Sequence, residues 1–180
     1  MSSPPLNTYH VIRTDAGLGA LWQPEGFSDI SSLEEWEDKV SRNESIEQNI
    51  RNGIFVPLNV GGDGSWQVAI RNGGLSGREN KFLLVASEAY LLKSRGTVEL
   101  GGLENVGGYV GGGIKIPLSP GAYTVQVNLI EWDAEPGSSD ADGMPTESAL
   151  PDFVILISHA PKEAVRYRTS VETFERPADG

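Results

Sequence analysis

The chain has 180 residues, no cysteine, and 25 acidic against 14 basic side chains, for a formal net charge of −11 at pH 7. The length predicts a single domain over residues 1–180. The lack of cysteine excludes disulfides, thiolate nucleophiles and cysteine-based metal sites. The acidity argues against binding to nucleic acid or to membrane surfaces.

The N-terminal residues carry no signal for export. They have neither the basic region nor the apolar region of a signal peptide, and no apolar run approaches the ~20 residues of a membrane span. We therefore expect a cytoplasmic protein, with flexible tails at residues 1–7 and 175–180.

The N-terminal third combines one strand with a helical stretch. Residues 9–14 alternate as a strand does. Residues 31–40 predict a short helix, because Ser32 and Glu35 have the spacing of a capping box. Its apolar residues share one face: Leu33, Trp36 and Val40. Residues 44–52 predict a second helix, with Ile46 and Ile50 inward and Gly53 as its terminator.

From residue 53 onward the pattern indicates β structure. Strand-like runs alternate with turn signals, and they cover residues 54–60, 66–71, 82–86, 97–100, 114–118, 123–132, 153–157 and 165–174. Residues 101–113 contain seven glycines and predict a loop. Ser119-Pro120-Gly121 predicts a turn, so the runs on either side should form a hairpin. The expected fold is mainly β: an antiparallel β-sandwich or jelly-roll-like arrangement with a short helical segment near residues 31–52.

Two segments hold most of the negative charge. Residues 25–47, the acidic helical segment, carry eight carboxylates against Lys39 and Arg42. Residues 131–152, the acidic loop, carry seven carboxylates and no basic residue. Such concentrated potential attracts basic proteins or cations. The candidate partner-binding residues are Glu34, Glu35, Glu37 and Asp38 in the helical segment, and Glu131, Trp132, Asp133, Asp140 and Asp142 in the loop.

The sequence favours binding over catalysis. Its two histidines, His10 and His159, lie far apart in the chain, and neither a nucleophile elbow nor a phosphate-binding loop is present. Residues 140–143 (DADG) begin like an EF-hand loop, but the glycine comes too early. We expect a protein that is not an enzyme and has no cofactor or metal.

Two alternatives remain open. A Ca²⁺- or carbohydrate-binding β-sandwich module would use loops 61–65 and 133–143, with Asp63, Asp133, Asp140 and Asp142 as candidate calcium ligands. A hydrolase would use Glu131 and Asp133, which would share a strand face about 7 Å apart, within the range of acid–base pairs.

Residues 61–68 (GGDGSWQV) and 116–132 (IPLSPGAYTVQVNLIEW) give the chain a family resemblance. With its acidity and lack of cysteine, it resembles the immunity proteins of bacterial polymorphic toxin systems. The resemblance implies a bacterial inhibitor that forms a tight complex with a basic toxin, such as a DNase. Inhibition could proceed by plugging the active site as a nucleic-acid mimic, or by holding the toxin in an inactive shape.

Overall fold

The computed structural model of the protein describes residues 6–60, 63–109, 111–163 and 165–171. The strands, in chain order, are β1 Asn7–Thr14, β2 Gly19–Trp22, β3 Phe55–Leu58, β4 Gly64–Arg71, β5 Leu83–Ala86, β6 Tyr90–Gly102, β7 Ile114–Ile130 and β8 Phe153–His159. The helices are α1 Leu33–Trp36, which continues into a π-helical turn at Glu37–Ser41, α2 Asn43–Arg51 and α3 Gly77–Lys81. Short 3-10 turns lie at Pro24–Phe27, Leu103–Asn105 and Trp132–Ala134.

The strands join in one hydrogen-bonded sheet that folds into two layers. Its order is β1-β4-β8-β7-β6-β2-β3, and β5 pairs with the end of β7. Residues 123–129 of β7 pair with β8, and β6 pairs with residues 114–118 and 121–125 of β7. β1 packs across onto β6 and β2. The mainly β, sandwich-like fold is therefore confirmed, with one parallel pair, β4 with β8, in the part of the chain that the structure describes.

A β-bulge lets β6 and β7 run through both layers. Ser94 lies opposite Gly121 and Gly96 lies opposite Leu118, so two residues of β7 face one residue of β6. An extra residue of this kind bends the strands and increases their twist. Gly121, at φ 151°, supplies backbone freedom at the bend.

The hairpin predicted around residues 119–121 is wrong. These residues lie inside β7, and the hairpin is formed instead by β6 and β7, which residues 103–113 connect. Pro-Gly favours turns and bulges for the same conformational reasons, so the local signal could not separate the two. The strand predicted at 165–174 is also wrong for residues 165–171, which form none, and 172–174 lie outside the described residues.

The helical prediction is confirmed in outline. Ser32 caps α1, Val40, Ile46 and Ile50 are buried, and Gly53 ends α2 at φ 74°. Leu33 differs from the prediction because its side chain is 54% exposed. None of the helices in the described ranges is long and apolar enough to cross a membrane.

The buried apolar side chains form a main core between the two layers and a separate smaller cluster. The main core contains the fully buried Trp22, Phe55 and Tyr90. Complete burial of side chains of this size stabilises the fold by roughly 2–3 kcal/mol each. A smaller cluster of Ala69, Ile130, Leu150 and Val154 lies outside the main core, and Trp132 packs on it. This second cluster anchors the acidic loop to the sheet.

As for the predicted tails, Asn7 is the first residue of β1. Residues 1–5 and 175–180 lie outside the described residues.

Candidate functional site

Local hydrogen bonds fix the shape of the acidic helical segment. The Ser32 hydroxyl accepts from the backbone N–H of Glu35 at 3.1 Å, as an N-cap does. The Trp36 indole donates to the Leu103 carbonyl at 3.3 Å, and the Asn49 amide donates to the Lys39 carbonyl at 2.9 Å. Residues 32–41 are therefore tied to the 3-10 turn that follows β6 and to α2.

The four acids predicted in this segment divide into two pairs. Glu35 accepts from the Ser31 hydroxyl at 2.9 Å, and Asp38 pairs with Arg42 at 2.7 Å, so both stabilise the segment itself. Glu34 and Glu37 are exposed, and their carboxylates have no hydrogen bond or ion pair within the described ranges. These two are free to meet a partner.

The basic residues of the acidic helical segment are already engaged. Lys39 lies 2.6 Å from Asp29 and 3.7 Å from Glu35, and Arg42 holds Asp38. The hydrogen bond between Lys39 and Asp29 raises the pKa of the lysine and lowers the pKa of the aspartate. Neither cation is left to offset the exposed carboxylates.

Glu44 and Glu47 add two more exposed carboxylates to the acidic helical segment. Both are exposed on α2, whose other face buries Ile46 and Ile50. They are not among the residues predicted from the sequence, although their i, i+3 spacing on the polar face of α2 is the signal that identifies them. A shallow cleft of about 480 Å³ adjoins Glu44 and is also lined by Asp29 and Lys39.

The acidic loop is held by the ion pair between Arg78 and Glu135 and by Trp132. Arg78 donates from Nε to Glu135 at 2.7 Å, with a second short bond from its other nitrogen, and also donates to the Ser148 carbonyl at 2.8 Å. Asp152 accepts from the Trp132 indole at 2.9 Å. Trp132 is half-buried on the second cluster, which corresponds to a core-edge position.

The remaining loop candidates are scattered. Asp140 accepts from the backbone N–H groups of Asp142 and Met144 at 2.9 and 3.0 Å, so it shapes a turn. Glu131 is half-buried, while Asp133 and Asp142 are exposed. Within the described ranges no three His, Cys, Asp or Glu side chains come together as metal ligands. The four candidate calcium ligands, Asp63, Asp133, Asp140 and Asp142, therefore do not form one site.

A larger cleft, of about 730 Å³, lies between β1, β4, α3 and residues 147–151. On its wall Arg71 makes a two-pronged ion pair with Glu79, at 2.6 and 3.0 Å. Glu79 is only 2% exposed and also accepts from the Ser76 N–H at 2.7 Å, which completes a capping box. Sequence reasoning missed this pair, because nothing in the local pattern links the end of β4 to α3.

The two histidines lie in different surroundings. His159 stacks on Tyr123 with ring centroids 4.9 Å apart. His10 lies on the inward face of β1, and burial lowers the pKa of its imidazole.

Comparison with known proteins identifies the fold. No protein-family profile matches the chain, and no curated protein matches it. Among solved structures, crocagin biosynthetic gene J is similar, with a TM-score of 0.60 and 14% identity, over 88% of this chain and 100% of that one. ComJ from Bacillus subtilis, an inhibitor of the DNA-degrading activity of NucA, is similar with a TM-score of 0.52 and 6% identity, also over 88% and 100% of the two chains. At these identities the likeness concerns the fold, and this protein has the fold of these two chains.

Proposed function

We propose that the protein is an inhibitor that binds a basic nuclease toxin in the bacterial cytoplasm, and that the acidic helical segment is its contact surface. The observation that carries the proposal is the unbalanced charge of this segment. Glu34, Glu37, Glu44 and Glu47 are exposed, while Lys39 and Arg42 are consumed by ion pairs within the segment. Complementary charge of this kind speeds association and selects the partner.

The shared fold supports an inhibitory role. ComJ inhibits the DNA-degrading activity of a nuclease. A nuclease has to attract a polyanion, so its substrate channel is positively charged. The exposed carboxylates on α1, the π-helical turn and α2 present a negative surface to such a channel.

The rigidity of the segment supports the same role. The Ser32 cap, the Trp36 indole bond and the Asn49 amide bond fix the backbone that carries the carboxylates before a partner arrives. A surface that is already ordered loses less conformational entropy on binding, so more of the interaction energy appears as affinity.

The alternatives find less support. A calcium site needs several oxygen ligands at one point, and the described residues bring no three acidic or histidine side chains together. For the hydrolase, Glu131 is half-buried beside Trp132 while Asp133 is exposed in a 3-10 turn. The two acids therefore do not share a strand face, as the hydrolase hypothesis required.

The test measures inhibition and association rate together. Basic nucleases encoded by the same genome are purified, and DNA degradation is followed as the protein is added. Glu34→Lys with Glu37→Lys is compared with Asp142→Lys with Glu147→Lys, which makes the same change of charge at exposed loop positions. We expect the first pair to slow association about ten-fold at low salt, and the second to change it little.

The other outcomes of this experiment would either move the contact surface or refute the proposal. If only the loop variant slows association, the contact surface is the acidic loop and not the helical segment. If both variants associate like the wild type at low salt, or if no basic nuclease is inhibited, the proposal is wrong.

A further inference from the structure

β1 is an edge strand with unused backbone groups. Within the described residues its backbone pairs with β4. The N–H of Asn72 donates to the carbonyl of Leu6 at 3.1 Å, and these two residues lie opposite each other when the β1–β4 register is continued. Even-numbered residues therefore bond to β4, and odd-numbered residues direct their N–H and C=O groups away from it. The outward residues are Asn7, Tyr9, Val11 and Arg13.

This edge lacks the features that protect most edge strands. Natural edges carry charged side chains, proline or a bulge, which prevent pairing with another chain. Residues 7–11 (NTYHV) contain no proline, lysine or carboxylate. Tyr9 is 65% exposed and Val11 is 62% exposed, and both side chains project from the same face. Among the described residues the edge is approached at its far end, where a Cβ added to Gly102 would lie 2.8 Å from the carbonyl oxygen of Arg13.

We propose that a second copy of this chain pairs antiparallel with β1, about a two-fold axis that passes through Tyr9. Tyr9 then lies opposite Tyr9 of the second copy, and Asn7 lies opposite Val11. The free groups of these residues form about six backbone hydrogen bonds, and the same surface serves both copies, as two-fold symmetry requires.

The structure favours this register over its neighbour. Moving the axis by one residue would place Asn7 opposite Arg13. The carbonyl of Arg13 already lies against Gly102, so that pair would lose a hydrogen bond. The register centred on Tyr9 uses every free group of residues 7–11 and needs nothing from Arg13.

Two buried polar atoms support the same register independently. The Thr8 hydroxyl and His10 Nε2 are buried and have no hydrogen-bond partner in the described part of the chain. The proposed register places Thr8 of one copy directly opposite His10 of the other, in the closer type of cross-strand pair. Both atoms are enclosed within a single copy, so each side chain has to rotate toward the new strand before the hydroxyl can donate to the imidazole. An unpaired buried polar atom costs free energy, so this pairing stabilises the dimer.

Charge predicts how association responds to salt. Two copies of net charge −11 repel each other, although residues 6–14 contain no carboxylate. Salt screens that long-range repulsion and leaves the backbone pairing unaffected. The dimer should therefore strengthen as salt rises, whereas binding of a basic nuclease should weaken.

The absence of cysteine permits a direct test of the register. In Tyr9→Cys the two sulfur-bearing residues face each other with Cα atoms about 5.5 Å apart, within reach of a disulfide. In the matched control, Val11→Cys, the two cysteines are separated by about 13 Å along the strands. Mild oxidation should crosslink Tyr9→Cys to a dimer and leave Val11→Cys monomeric. Equal crosslinking of the two variants would overturn the proposal.

Sedimentation analysis of the uncrosslinked protein provides the second test. The wild type should shift from monomer to dimer with rising concentration, and more readily at high salt. Val11→Lys places a charge on the edge and should weaken the dimer at least ten-fold, roughly the effect of one unfavourable edge charge on each copy. Val165→Lys, the same change at another exposed valine, should not. Thr8→Val should weaken the dimer without lowering the melting temperature of the monomer.

Two results would contradict the proposal here. One is a wild-type protein that stays monomeric at every concentration and salt. The other is protection of the residue 7–11 amides from hydrogen exchange only when a different protein is added, which would assign the edge to that protein.

Discussion

Disrupting the ion pair between Arg71 and Glu79 is the most direct test of what stabilises the packing of α3 on β4, beside residues 147–151 of the acidic loop. Glu79 receives two hydrogen bonds from the Arg71 guanidinium, at 2.6 and 3.0 Å, and its side chain is 3% exposed. Glu79→Gln keeps the size of the side chain but removes the charge and directs an NH₂ group at the guanidinium. Arg71 then loses its counter-charge.

The magnitude follows from burial. Removing one partner of a buried ion pair costs about 3–5 kcal/mol, because the other charge stays buried and unpaired. The Arg71 side chain is 15% exposed and lines the 730 Å³ cleft, so water can reach the guanidinium in the variant. We therefore expect a loss near the lower limit, about 3 kcal/mol. For a chain of this length the melting temperature should fall by roughly 6–12 °C.

Urea unfolding of four proteins measures the coupling: the wild type, Glu79→Gln, Arg71→Met and the double variant. Each single variant leaves one charged or polar group without its partner, so the double variant should be less destabilised than the sum of the two singles. If Glu79→Gln loses less than about 1 kcal/mol, or if the two changes are additive, the pair does not stabilise the fold as argued.

Two further predictions concern packing and pH. Gly113→Ala should destabilise the protein by about 1–3 kcal/mol in urea unfolding, because its Cβ would lie 2.6 Å from the Trp22 ring, whereas Gly73→Ala, with open space around it, should cost much less. The hydrogen bond from Arg78 lowers the pKa of Glu135 below its usual 4.5, so the stabilisation is full above that pH and is lost as the pH falls through the lowered value. The difference in melting temperature between wild type and Glu135→Gln should therefore be constant near neutral pH and disappear at acidic pH. A difference that persists at low pH would refute this.

Local sequence signals predicted where helices and strands form, but tertiary contacts determine which strands pair and where the chain turns. The Ser32 cap and the spacing of Ile46 and Ile50 depend only on near neighbours, so the helical segment was predictable. The pattern after residue 53 identified β structure for the same reason. The Pro-Gly at residues 120–121 was misread because a turn and a bulge require similar residues, and only the pairing of β6 with β7 distinguishes them.

The candidate site shows the same division. The concentration of carboxylates in residues 25–47 is visible in the sequence, and the structure exposes Glu34 and Glu37 there. Sequence could not show that Lys39 pairs with Asp29, ten positions away, or that Arg78 pairs with Glu135. These pairs determine which carboxylates remain available, so composition alone overestimated how free the acidic loop is.

The passage of β6 and β7 through both layers has a consequence for how the protein folds. The two layers cannot separate without breaking the hydrogen bonds between β6 and β7, the longest pair among the described strands. The parallel pairing of β4 with β8 joins residues 68 and 153, which are far apart in the chain. Such distant pairings form late, because the chain must close long loops before they gain any contacts. We therefore expect the chain to fold slowly and as one cooperative unit, so that exchange of its core amides reports a single global opening.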